Sequence, residues 1–189
     1  MRKLLPKPLI AVMLCSAMIG GIAQIATAQA APPPDATAKV PSPPRTADVS
    51  LSGATVTIKY SAPSAKGRTI FGGLVPYGEV WRTGANAATT LITSSNLQIG
   101  DLSVPAGTYT LYSVPSQSGW QLVVNKQTGQ WGTVYTKAQD LGRTPMKVGS
   151  NATPVETFVI DFEKTAGAKT ELHLKWAGVD ASVPVTVSK

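Results

Sequence analysis

The chain has 189 residues but only one cysteine, one histidine and ten acidic residues, and each scarcity removes a class of chemistry. Cys15 lies in an apolar run near the N-terminus, so everything after it lacks a thiol; disulfide stapling and thiolate catalysis are excluded there. Val12-Met13-Leu14 also lacks the small residues that precede an acylated lipoprotein cysteine. A transition-metal site needs several His or Cys ligands at close spacing, and none are present, so no metal and no cofactor are expected. The Walker phosphate loop and GxGxxG are both missing, as is the Asp-rich spacing of an EF-hand. Helical periodicity is absent over any three turns, and only Thr136 to Leu141 suits a short helix.

Arg2, Lys3 and Lys7 precede an apolar run from Leu9 to Ile25 and the small-residue string Ala26-Thr27-Ala28-Gln29-Ala30-Ala31. This pattern predicts a signal peptide over 1–28, cleaved after Ala28 or Ala30, and a periplasmic or secreted protein that meets a membrane only if the signal stays uncleaved. Residues 29–46, with prolines at 32, 33, 34, 41, 43 and 44, read as an extended tether, leaving 47–189 as a single domain. Roughly 145 residues suffice for one hydrophobic core without staples. The formal charge is +7, but three of the 17 basic residues lie in the signal, which leaves 14 against ten acidic residues, a net +4. They form no basic run, which argues against a nucleic-acid partner.

Strand patterns dominate the rest. Val56, Ile58 and Tyr60 alternate with polar residues, the period of a half-buried strand. The same period returns in Phe158-Ile160-Phe162, Leu172-Leu174-Trp176 and Val183-Val185-Val187, where the links KTAGAK and AGVDA predict a hairpin-connected meander. Leu97–Ile99 and Leu102–Val104 flank a Gly100-Asp101 turn. Pro105-Ala106-Gly107 turns into Thr108–Val114, followed by strands at Trp120–Val124 and Trp131–Tyr135. The expected fold is all-β, an antiparallel two-layer sandwich or flattened barrel with one long Gly-rich loop over 61–89.

Chemistry-bearing residues concentrate in that loop, SAPSAKGRTIFGGLVPYGEVWRTGANAAT. A loop this long in a compact domain is functional or packs its own small core. Lys66, Arg68 and Arg82 offer donors to an anion or to sugar hydroxyls, Tyr77 and Trp81 offer flat faces, and Glu79 and Asn86 complete the polar set. The competing structural reading has Arg82 and Asn86 bonding turn carbonyls, Glu79 paired with Arg82 or Arg68, and Trp81 plugging the end of the sandwich. His173, between Leu172 and Leu174, is expected on an outward face with Glu171 and Lys175 as an ordinary surface histidine. A hydrolase would need Glu79 with a second acid such as Asp140 or Asp161. Asn151-Ala152-Thr153 is formally a glycosylation sequon, but Pro154 follows it directly.

The segments YSAPSAKGRTIFGGLVPYGEVWRTGAN, LSVPAGTYTLYSVP and NKQTGQWGTVY resemble the signature of a bacterial family known as domain of unknown function 2911, over about residues 42 to 188. The resemblance implies an exported single-domain β protein, supplies no catalytic residues, and adds Lys126 and Trp131 to the ligand-binding candidates. It also suggests that the 66–86 loop, the Pro105–Gly107 turn and the Asn125–Gly132 hairpin meet in space. The functional expectation is a non-catalytic module binding a polar ligand, a glycan or peptide, or an envelope protein; the alternatives are the Glu79 hydrolase and a purely structural envelope domain.

Overall fold

The computed structural model describes residues 41–188; the expected signal and most of the tether lie outside them. Nine strands form one antiparallel sheet in the order β1-β2-β3-β6-β7-β8-β9-β4-β5, not closed into a barrel. The strands are β1 Pro44–Leu51, β2 Ala54–Ser61, β3 Thr89–Thr93, β4 Leu97–Ile99, β5 Leu102–Val104, β6 Gly107–Val114, β7 Trp120–Asn125, β8 Asp140–Ala166 and β9 Lys169–Val187. A single 3-10 turn, Lys137–Gln139, falls within the predicted short helix. Among the described residues no helix is long and apolar enough to cross a membrane.

Strand β8 is the backbone of the arrangement. Its start, Asp140 to Met146, pairs with β7, whereas Lys147 onward pairs with β9. The sheet therefore folds over, and its two halves share one core. Val56, Ile58 and Tyr60 of β2 bury in the same cluster as Phe158, Ile160, Leu172, Leu174 and Trp176. The Tyr60 hydroxyl accepts a hydrogen bond from the Ile160 N–H at 3.1 Å, tying the halves together.

The structure departs from the sequence reading at several places. Strand β1 opens at Pro44, so Pro44, Arg45 and Thr46, read as tether, pair with Ser61, Tyr60 and Lys59. An edge strand tolerates a proline because one side of its ladder is unpaired. Second, 172–176 and 183–187 are not separate strands joined by AGVDA; both lie in β9. The inward face shifts from Leu172, Leu174 and Trp176 to Ala181, Val183 and Val185, a change of parity absorbed at an irregularity where Ala177 has φ 49°. The Asn151 amide donates to the Ala177 and Val179 carbonyls there, at 3.1 and 2.8 Å. Third, Trp131–Tyr135 is no strand: only an isolated Ala87↔Trp131 bridge forms. Fourth, His173 is buried, as described below.

Candidate functional site

The 62–88 segment crosses the open end of the folded sheet and is organised by its own turns. Gly72 N–H bonds Val75 O at 2.9 Å and Val75 N–H bonds Ile70 O at 2.9 Å, closing a small loop. Gly72 has φ 82°, and a Cβ there would stand 2.7 Å from the Tyr77 ring, so the site requires glycine twice over. Further on, Trp81 exchanges two backbone hydrogen bonds with Ser113 of β6 (2.8 and 2.9 Å). The Trp81 indole then stacks on Trp176 with centroids 5.8 Å apart and meets Phe71, Trp120 and Phe158 edge-on. Such pairs add to the apolar burial itself.

Arg82 follows directly and is flanked by fixed backbone. Thr83 is fully buried with φ 51°, an uncommon conformation for a β-branched residue. It is held by a bond from its hydroxyl to Ser113 Oγ (3.0 Å) and by one from Thr89 Oγ1 to its carbonyl (2.8 Å). Strain of this kind persists where surrounding contacts over-determine it. Across from Arg82, Gly132 donates to the Asn86 carbonyl at 3.0 Å. A Cβ on Gly132 would lie 2.5 Å from Arg82 Cδ and 2.7 Å from that carbonyl, so the arginine stem is clamped against bare backbone.

Together these segments line an open cavity of about 420 Å³. Of the sequence candidates, Arg68, Trp81, Arg82 and Asn86 line it. Lys66, Tyr77, Glu79, Lys126 and Trp131 do not; Trp131 stands 57% exposed beside it, at Gly132. Arg68 spends Nε on Ala65 O (2.9 Å) and Nη2 on Ser64 O (2.7 Å). Asn86 donates to Ser42 O at 3.3 Å, and Arg82 Nε reaches Gly84 O at 3.4 Å. The expected ion pair of Glu79 with Arg82 or Arg68 does not form; Glu79 is exposed and in no salt bridge among the described residues. Of the three segments expected to meet, two do. The Pro105–Gly107 turn sits at the far end of β6, where Gly107 pairs with Thr93, about 20 Å along the strand from Ser113.

Sequence reasoning missed Tyr112, Thr133 and Tyr135, which also line the cavity. Tyr112 reads as an ordinary core position in β6, and it bonds Val134 O at 2.6 Å and packs edge-on against Tyr135. Tyr135 donates to Asp140 Oδ2 at 2.6 Å and accepts from Arg143 Nη2 at 2.7 Å. Burial and the bond to Asp140 push the Tyr135 hydroxyl above its ordinary value. Burial pulls the Arg143 guanidinium down, but its bonds to Tyr135 and Asp140 outweigh this and raise it. Asp140, one of the acids considered for a hydrolase, is therefore held by Asn125, Tyr135 and Arg143.

A second polar cluster lies on β8 and β9, and His173 is at its centre. Its outward direction follows the strand alternation, but Glu163, Glu171 and Asp180 close over it and leave it 5% exposed. Nδ1 meets Asp180 Oδ1 at 2.8 Å, while Nε2 lies 3.4 Å from Glu171 and 3.6 Å from Glu163. Lys175 bridges Asp161 and Glu163, and Lys164 bonds Glu171 at 2.7 Å. Among the described residues no set of three or more His, Cys, Asp or Glu is arranged to hold a metal ion.

This cluster sets an acid limit on stability. The bond from Lys175 holds Glu163 below the usual carboxylate range, and the bond from Lys164 does the same for Glu171. The unfolded chain therefore takes up these protons first, so their stabilisation is complete above the unfolded carboxylate value of about 4.3 and is lost as pH falls through the lower folded values. Urea midpoints are expected to fall between about pH 5 and pH 3, with a shallower fall in Lys175→Met. An equal fall in that variant would remove the Lys175–Glu163 bond as its source.

The fold and the cavity define a class: a folded-over antiparallel β domain with an arginine- and aromatic-lined pocket at its loop end. A family model described as "Protein of unknown function (DUF2911)" matches residues 42–185, and the chain belongs to that family. No curated protein and no solved structure matches it.

Proposed function

We propose that this chain is an exported domain that binds a polar ligand, a glycan or a peptide, in the loop-end cavity without transforming it. The observation that carries this reading is the composition of the cavity wall: Arg68, Arg82 and Asn86 set among aromatic side chains, with no carboxylate, histidine or lysine lining it among the described residues. A few placed polar groups converging beside aromatic faces are the usual make-up of a ligand pocket. Among the described residues, the wall hydroxyls of Ser42 and Thr133 have no base beside them in the lining, as nucleophilic catalysis would need. Export rests on the basic, apolar and small-residue order of the first 31 residues.

The test is a glycan and peptide array with the purified protein, repeated with Thr133→Trp. Thr133 is exposed at the cavity wall, so the indole fills the pocket without entering the core. Captured ligands are expected to be lost at least about tenfold in this variant, the scale of one hot-spot contact. Binding that survives Thr133→Trp unchanged, or an array with no captured ligand, would overturn the reading in favour of a purely structural domain.

A further inference from the structure

We infer that the cavity takes its ligand by a carboxylate group, received by the free fork of Arg82; this rests on the binding reading above and names the chemistry of what is bound. Among the described residues, Arg82 uses only Nε, in a long 3.4 Å bond to Gly84 O, and pairs with no carboxylate. Its two terminal nitrogens therefore have no protein acceptor there, although the residue is only partly exposed. The backbone on either side is fixed by the Trp81–Ser113 bonds and by buried Thr83, and the stem lies against Gly132. An arginine that is pre-positioned and yet uncommitted has already met much of the entropic cost of binding.

The charge is also unbalanced. Arg68 adds a second cation to the wall and, among the described residues, no acidic residue lines it, while Asp140, behind Tyr135, is occupied by Arg143. The arrangement favours a carboxylate over a phosphate. Two parallel N–H donors match two carboxylate oxygens in one plane, whereas a phosphate dianion calls for further donors, and Arg68 already spends Nε and Nη2 on Ala65 and Ser64, which leaves it Nη1 rather than a second open fork. Leu74, Trp81 and Tyr135 supply apolar surface for the body that carries the acid, backed by buried Val75, Tyr112 and Trp176.

The experiment uses matched probes on the purified protein by calorimetric titration: D-glucuronate against D-glucose, N-acetyl-dialanine with a free against an amidated C-terminus, and inorganic phosphate. The acid member of at least one pair is expected to bind about 10- to 100-fold tighter than its neutral partner, the range of a charge-assisted hydrogen bond. Whichever pair responds identifies the acid as a sugar carboxylate or a peptide terminus. Arg82→Gln is expected to abolish the preference between the acid and its neutral partner, and Arg82→Lys, which keeps the charge without the fork, to lose most of it. Equal binding within both pairs, phosphate binding tighter than either acid, a preference that persists in Arg82→Gln, or no binding by any probe overturns the inference. Neutral probes that bind and are displaced by Thr133→Trp would leave the cavity a binding site while removing the carboxylate, so the two readings fail separately.

Discussion

Trp176→Ala is expected to lower the unfolding free energy by about 3–5 kcal/mol, the range for deleting a buried tryptophan. Trp176 is 1% exposed in β9 and lies beneath both Trp81 and Phe71. Its truncation removes the support on which the 62–88 segment rests. The lost indole also donated at 3.2 Å to Glu156 O, but that carbonyl keeps the Ala65 N–H at 2.8 Å, so the cost is mainly packing and cavity. A urea titration should show a lower midpoint with an unchanged slope. Trp131→Ala is the control: that side chain is 57% exposed, and its loss should change stability by no more than about 0.5 kcal/mol. Comparable midpoints for the two variants would show that the aromatic cluster does not hold the loop.

Asn125→Ala is expected to cost about 2–4 kcal/mol through hydrogen bonds rather than volume. Asn125 is fully buried at the end of β7. Its amide donates to Thr136 O at 3.1 Å and Asp140 Oδ1 at 2.8 Å, and its oxygen accepts the Gln127 N–H at 2.9 Å. Alanine leaves these groups short of partners in a partly buried setting. A thermal scan should fall by roughly 5–15 °C. Hydrogen exchange should also quicken selectively over residues 126–139, because this one side chain spans the base of that segment. Uniform acceleration over the whole sheet would instead point to a global loss.

Asn125 also shows why the cavity was only half legible in the sequence. Arg68, Trp81, Arg82 and Asn86 stand out because they interrupt a glycine-rich loop. Tyr135 and Thr133 reach the same cavity because bonds of Asn125, Tyr112 and Gly132 fold their segment back, contacts between distant residues with no local signature. Tyr112 is indistinguishable from a core residue along β6. Lys66, Tyr77 and Glu79 share the loop's composition, but the local turns carry them away from the cavity wall. Strand alternation fared likewise. It located β2 and the β4–β5 hairpin, where the period of two runs unbroken. It failed in β9, where the irregularity at Ala177 inverts parity and mimics a turn. For His173 it gave the direction of the side chain but not the carboxylates that cover it.

The strand that bends between the two halves of the sheet also shapes how the protein reaches this state. Since β8 pairs with β7 at one end and β9 along the rest, neither half has a closed set of strands without it, and the two are expected to melt in one cooperative transition. The β4–β9 pairing joins Leu97 to Val187, contacts so distant along the chain that loop-closure entropy must be met before they give any return. Topologies dominated by such pairings fold in milliseconds to seconds rather than microseconds. Until β9 docks, the aromatic plug of the loop has no Trp176 to close upon, and the cavity is therefore expected to be among the last parts of the molecule to take shape.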